Sequence, residues 1–256
     1  IGIYFIERGA EQRPSIGIYD RIPSAVTEMT PDMFDWKGIF SNCDWFHFTG
    51  ITPALSKTAA LTVQTAVEYA KKQGIHISCD INFRSRLWTC RQAARVMRPL
   101  VQGITCIFGN EADSRDVLGI GPSSLKVESG DINPEMYRDV LNQVLKKYDI
   151  KMGAMTVRQS HSAFHNDWSG VFHDGKKFYV SPSYQIKHII DRFGAGDSFD
   201  AAMLFGILTG KKSQETVDFA AAASCLKHSI PGTLNLISLG DVDDLIRTGG
   251  TGRVKR

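Results

Sequence analysis

The sequence predicts an α/β fold in which helices cover both faces of a mostly parallel sheet, with a small β-flap beside it. Three observations lead there. From residue 44 onward, strand-like and helix-like hydrophobic periods alternate, the pattern that crossover connections impose on parallel strands. The 256 residues suffice for one such domain with an appendage, and 43% hydrophobic and 22% charged content supply a sizeable core. The first 22 residues break the alternation and read as two short strands, GIYFI and IGIYD, joined by polar ERGAEQRPS.

In order, a strand at 44–49 ends at Gly50. A helical pattern then opens at Thr52-Pro53, runs through Leu55, Ala59, Val63, Ala66 and Ala70, and closes at Gly74. A strand at 75–79, a helix at 89–100 and a strand at 104–108 follow, and a helix opens at Asn110. A polar stretch with Gly119, Pro122 and Gly130 leads to a helix at 135–147 and a strand at 153–157. Period-two segments over 162–180, with turns expected at Asn166-Asp167 and Asp174-Gly175, read as a β-meander. Helices from Gly196, over 214–228 and near Asp243 complete the chain.

Composition excludes several classes. The net charge of +3 is small and its basic residues are scattered, so neither nucleic acid nor a membrane surface is an expected partner. The tail at 253–256 reads as a solvated terminus. Five dispersed cysteines without a Cys-x-x-Cys pair point to reduced thiols and a cytoplasmic setting. The apolar run at 201–208 is too short to span a bilayer. The chain opens without Met inside an apparent strand, so a preceding segment is expected.

Most motif candidates fail on context. There is no G-x-G-x-x-G after a strand and no G-x-S-x-G elbow. The stretch from Gly206 to Ser213 is one residue short of a P-loop and ends a helix rather than opening one, which suits a Gly210 cap. His161 and His165 fall in a strand pattern that places them on one face but too far apart to share an ion, so no zinc site is expected.

The stretch DRFGAGDSFDAAMLF at 191–205 survives. Gly194, Ala195 and Gly196 let an anion approach the backbone just where a helix leaves N–H donors free. Asp197 would stand beside that hole, placed to accept a proton from an attacking hydroxyl. Equally, it could be an acidic first-turn residue of an ordinary helix.

This stretch resembles the signature of the ribokinase-like sugar kinases of the phosphofructokinase B type, Asp-Thr-Thr-Gly-Ala-Gly-Asp-x-Phe. The resemblance implies a three-layer α/β/α sandwich with a β-lid, in which Asp197 is the catalytic base and Gly194, Ala195 and Gly196 form the anion hole. Arg192 and Phe193 replace the two threonines, removing a hydroxyl from the monovalent-cation site that the family has near Asp191. Asn110-Glu111-Ala112-Asp113 resembles the family's N-x-x-E helix start, which holds Mg²⁺ through water. Strict spacing gives that role to Asn110 and Asp113, with Glu111 as a stand-in.

Other stretches resemble the family members that act on a sugar acid, 2-keto-3-deoxygluconate. Gly2-Ile3-Tyr4-Phe5 with Ile18-Tyr19-Asp20-Arg21 matches the lid, and Asp80-Ile81-Asn82-Phe83-Arg84 with Leu87-Trp88 matches a D-x-N-x-R…LW segment. These imply that Tyr4, Tyr19, Arg21 and Arg84 hold the substrate, with Arg84 on its carboxylate. Thr156 to Ser160 and Lys227 to Gly232 match the nucleotide side, which implies Arg158, Gly194 and Gly196 on ATP. Read from the residues alone, Arg84 is as well a surface ion pair, and the tyrosines flap core. The resemblance further implies residues 1–25 as part of the lid, 26–256 as the catalytic domain, and a homodimer or higher homo-oligomer. The family's first βαβ segment lies before Ile1, so the fold is expected to be N-terminally truncated. A kinase of the fructokinase or ribokinase type for a neutral sugar, or an inactive partial subunit, are the alternatives.

Overall fold

The computed structural model describes residues 1–121 and 134–250. The polar stretch around Pro122 and Gly130 and the tail at 253–256 lie outside the described residues.

Strands β1 (Ile3–Glu7) and β2 (Ile16–Asp20) form a separate antiparallel ribbon. Tyr4 pairs with Tyr19 and Phe5 with Ile18. The pleat therefore puts the two tyrosines on one face and Ile3, Phe5 and Ile18 on the other. Short helices α1 (Ala25–Glu28) and α2 (Trp36–Phe40) lead into the main sheet. One or two turns carry too few residues to show a period, so the sequence does not predict them.

The main sheet has seven strands in the spatial order β3 (Trp45–Thr49), β4 (His76–Asp80), β5 (Cys106–Gly109), β6 (Met152–Ser160), β7 (Asn166–His173) and β8 (Phe178–Val180), with β9 (Tyr184–Ile186) also paired to β7. Strands β3 to β6 run parallel, whereas the pairs beyond β6 are antiparallel. Between β3 and β4 lie α3 (Ile51–Leu55) and α4 (Lys57–Lys72), and α5 (Cys90–Val101) follows β4. After β5 come α6 (Glu111–Asp113), a π-helical turn at Ser114–Leu118 and α7 (Pro134–Tyr148). Helices α8 (Ala195–Leu208), α9 (Ser213–Lys227) and α10 (Leu239–Thr248) close the chain.

Alternation along the strands builds the three layers. Ile107, Met155, Val157 and Val171 point to one side, where Val63, Met97, Leu141 and Val144 of α4, α5 and α7 pack on them. Cys106, Phe108, Ala154 and Phe172 point to the other, against Phe199, Met203, Val217 and Val242 of α8, α9 and α10. Burial on both faces is why the parallel strands read as nearly continuous apolar runs.

Three expectations need correction. The helix predicted from Thr52 is two helices, because Ser56 takes an extended backbone (φ −160°) and its hydroxyl accepts the Ala59 N–H at 3.0 Å. A capping serine interrupts the helix while the apolar period runs on past it. The turn expected at Asn166-Asp167 lies at 161–165 instead, and both residues belong to β7. His161 and His165 accordingly do not sit on one strand. They face each other across the β6–β7 hairpin, with ring centroids 4.5 Å apart. The helix at Asn110 is a single turn that passes into the π-helical segment and ends at Gly119 in the left-handed region (φ +71°).

The carboxyl ends of β4, β5 and β6 carry Asp80, Gly109 and, near its end, Arg158. This is the edge at which open α/β sheets bind ligands.

Candidate active site

The turn into α8 stands between two cavities. Gly194 caps α8 in the left-handed region (φ +80°), and a Cβ there would run into the Thr233 carbonyl, so glycine is required on both counts. No side chain caps α8, which leaves the first-turn N–H groups of Gly196 and Asp197 to solvent or a ligand. The Ala195 N–H is partly used, by a long 3.3 Å bond to the Arg192 carbonyl. Ala195 and Gly196 border a polar cavity of about 380 Å³. Gly194 and Asp197 border a more apolar one of about 450 Å³, walled by Phe205, Phe219, Leu234, Asn235, Ile237 and Val242. Asp197 is exposed. Its charge nevertheless reaches Asp80 and Asp200 on the polar side and helps raise the pKa of each.

The floor of the polar cavity is acidic. Burial pushes Asp80 up to about 6 and Asp113 up to about 7, each aided by a neighbouring carboxylate and opposed by Arg84. Burial and the charge of Asp80 push Asp200 up as well. Three carboxyls in so dry a space cannot all be ionised. Asp113 is tied at both oxygens, Oδ2 accepting from the Asn110 amide at 2.9 Å and Oδ1 from the Phe83 N–H at 3.3 Å. Asn110 Oδ1 in turn caps the Asp113 N–H at 2.9 Å. Glu111 is more open: it lines the cavity, and its Oε2 accepts from the Tyr137 hydroxyl at 3.2 Å. Among the expected metal holders, Glu111 therefore has the freer carboxylate, while both oxygens of Asp113 are engaged by Asn110 and Phe83.

The rim is cationic. Arg84, Arg158 and Arg192 all line the polar cavity, and the charge of Arg158 helps burial to lower the pKa of Arg192. Arg84 also lines a third cavity, of about 340 Å³, together with Tyr19, Arg21 and Arg86. The Arg21 guanidinium lies 4.4 Å from the centroid of the Tyr19 ring. Arg86 Nη1 donates to the Gly17 carbonyl at 2.6 Å and so fastens the β1–β2 ribbon to the loop after β4. Tyr4 packs on Tyr19, centroids 6.0 Å apart, and does not border that cavity.

Beside Asp191, where the resemblance puts a monovalent cation, stands a lysine. Lys227 is fully buried, and its Nζ donates to the carbonyls of Ile230 at 3.1 Å and Asp191 at 3.5 Å.

Sequence reasoning missed Arg86, Asp200, Asn166 and Trp168. Arg86 lies two residues beyond Arg84, and Asp200 one helical turn beyond Asp197 in an otherwise apolar run; both spacings were legible. Asn166 was read as a turn residue. It is fully buried, lines the polar cavity, and its side-chain amide has no hydrogen-bond partner among the described residues; the same holds for the indole N–H of Trp168.

Comparison with known proteins bears on this arrangement. The pfkB family of carbohydrate kinases matches residues 1–238. The crystal structure of 2-dehydro-3-deoxygluconokinase from Thermotoga maritima superposes with a TM-score of 0.91 at 43% identity, covering 96% of this chain and 74% of that one. The 2-dehydro-3-deoxygalactonokinase of Haloferax volcanii is 27% identical over 254 residues, 98% of this chain and 72% of its own length. The 2-dehydro-3-deoxygluconokinase of Thermoproteus tenax is 30% identical over 237 residues, 90% of this chain and 63% of its own.

The acid cluster is measurable without substrate. Asp80, Asp113 and Asp200 titrate above the ordinary 3.8, so the native state keeps protons that the unfolded chain releases. Their contribution is full at low pH and is lost as pH rises through the folded values. Asp200→Asn removes one of these three buried carboxyls and leaves a neutral amide of the same shape. At about pH 8 its Tm should exceed that of the wild type by about 2–4 °C or more, with a smaller fall between about pH 5 and pH 8. An equal or steeper fall in the variant would assign the pH response to other groups.

Proposed function

The chain belongs to the pfkB family of carbohydrate kinases, and from that premise we propose that it transfers the γ-phosphate of ATP to the primary hydroxyl of 2-keto-3-deoxygluconate. The observation that carries this reading is the position of the Gly194–Gly196 turn. It stands between an apolar cavity suited to a purine and a polar, arginine-rimmed one that Arg84 connects to the lid. The relatives named for 2-dehydro-3-deoxy sugar acids support the choice of substrate.

The adenine lies among Phe205, Phe219 and Val242, and the phosphates cross the turn, where the free N–H groups of Gly196 and Asp197 meet developing negative charge. Arg158, with Arg192 near it, steadies the transferring group. Asp197 accepts the hydroxyl proton; it is the carboxylate at the turn that no buried neighbour ties up. Arg21, Arg84 and Arg86 surround the third cavity and give a sugar acid the cation it needs, with Tyr19 against the sugar face and Tyr4 behind it. Glu111 and Asn110 offer the oxygen donors that a hard cation prefers, and they would hold Mg²⁺ through water, with Asp113 keeping Asn110 in place. Magnesium, when bound, neutralises charge on the phosphates. A monovalent cation beside Asp191 has no part in this reading, because Lys227 already supplies the charge.

Residues 1–25 act as lid and 26–256 as the catalytic part. Ile3, Phe5 and Ile18 are 51%, 60% and 59% exposed on the ribbon face turned away from Tyr19, an apolar patch of the kind that marks an interface. A second copy of the chain covers it in a homodimer. The five free thiols suit a cytoplasmic setting, and no helix among the described residues is long and apolar enough to cross a membrane.

Three outcomes test the reading. In the full-length protein, Asp197→Asn should lower kcat by about 10²–10⁴ while nucleotide binding, measured calorimetrically, stays nearly unchanged; normal turnover would return Asp197 to helix capping. Arg84→Ala should cost about 2–5 kcal/mol in kcat/KM for the sugar acid, well above the roughly 0–1 kcal/mol of a surface pair, and leave activity on a neutral analogue alone. Equal losses on both would make Arg84 a support of the fold, and a wild type that prefers the neutral sugar would favour a fructokinase-type activity. Sedimentation of Phe5→Lys should yield monomer where the wild type gives dimer, and an unchanged profile would remove the lid face as the interface.

A further inference from the structure

The β6–β7 hairpin brings together three side chains for which phosphoryl transfer has no use. The His161 N–H donates to the His165 carbonyl at 2.9 Å, which closes the turn and brings the two imidazoles together, tilted by 36° with centroids 4.5 Å apart. Asp167 lies on β7 opposite Gln159. Its Oδ2 is 2.9 Å from His161 Nε2 and its Oδ1 is 4.0 Å from His165 Nε2. One ligand atom from each of the three residues lies within 4.8 Å of the others.

A simple ion pair does not account for this cluster. It satisfies His161 and one carboxylate oxygen. His165 Nε2 and Asp167 Oδ1 are shut off from solvent and have no hydrogen-bond partner among the described residues, a costly state for polar atoms. Both belong to residues whose ligand atoms lie within 4.8 Å of one another and of His161. Ligands at about 2.0–2.2 Å around a tetrahedral zinc ion stand about 3.3 Å apart. The observed separations straddle that value, so small side-chain rotations bring all three into range.

We propose that His161, His165 and Asp167 form a site for a divalent transition metal of the zinc class, with the fourth position open to water. Two imidazoles and one carboxylate are a borderline donor set, suited to zinc rather than to magnesium. The ion would act as a staple, because this turn already holds two other parts of the molecule. Its Ala163 N–H donates to the Glu11 carbonyl in the lid at 2.8 Å. Its Ala163 carbonyl accepts from the Arg192 guanidinium at 2.6 Å, and its Phe164 carbonyl accepts the Ile189 N–H at 2.9 Å. Fixing the turn therefore fixes the lid loop against the approach to α8.

The test uses the wild-type protein stripped with a chelator and then held in excess Mg²⁺, so that hard-cation sites are filled. Co²⁺ serves as the spectroscopic probe and Zn²⁺ as the calorimetric one. The expected result is one equivalent per chain with the visible bands of tetrahedral Co²⁺, and a Tm raised by Zn²⁺. His165→Gln and Asp167→Asn should each weaken binding by at least about 10–100-fold, the loss seen even for residues that only support a ligand. His188→Gln, a nearby histidine outside the cluster, should leave it unchanged. No binding to the wild type, or undiminished binding to both ligand variants, would overturn the proposal. Should the variants fail to fold, anomalous diffraction from zinc-soaked wild-type crystals decides: an ion on these three side chains supports the site, and its absence there refutes it.

Discussion

The carboxylate of Asp191 is the tie on which the site depends. One oxygen accepts the Phe193 N–H at 3.1 Å, inside the turn that leads to α8; the other accepts the Gly232 N–H at 2.9 Å, from the loop after α9. Its own carbonyl receives the buried Lys227 ammonium, and Arg8 of the lid approaches to 3.8 Å. A single short side chain thus fixes the left-handed Gly194 against Thr233, and with it the direction in which α8 presents its free N–H groups. Charge-assisted bonds of this kind gain strength from their part-buried setting.

With that turn in place, the rest of the site is a balance of buried charge. Asp80, Asp113 and Asp200 crowd the floor and titrate upward, while three arginines stand around the rim. Holding protons at the floor keeps the cavity from repelling an anionic ligand, and the arginines attract one. Arg84 links the halves: its charge lowers both Asp80 and Asp113, and it belongs to the cavity shared with the lid. The lid is tied on by the Arg86 side chain at the Gly17 carbonyl and by the Ala163 N–H at the Glu11 carbonyl.

The likeness to the Thermotoga maritima enzyme extends over 96% of this chain but 74% of that one, and the two curated relatives are covered to 72% and 63% of their lengths. In the residues shared, Trp45 and His47 lie on β3 at the sheet edge. Burial lowers the pKa of His47, and Asp197 opposes that shift.

The sequence by itself determined the α/β alternation, the flap and the Gly-Ala-Gly-Asp turn, because each rests on local chemistry: hydrophobic period, turn residues, and glycine where no Cβ fits. Asn110, Asp113 and Arg84 were marked instead by the likeness of their short motifs to those of a family, since the residues alone read as well as a helix cap and a surface ion pair. What only the tertiary structure decided are relations between distant segments. The separation of Asp197 from the acidic floor, the crowding of Asp80, Asp113 and Asp200, the burial of Asn166, and the burial of Lys227 beside Asp191 all arise from side chains far apart in sequence. The histidines show the reason most plainly. Read as one strand they diverge, and as a hairpin they meet, because a turn displaced by a few residues reverses the chain between them, and contact follows from where the chain returns.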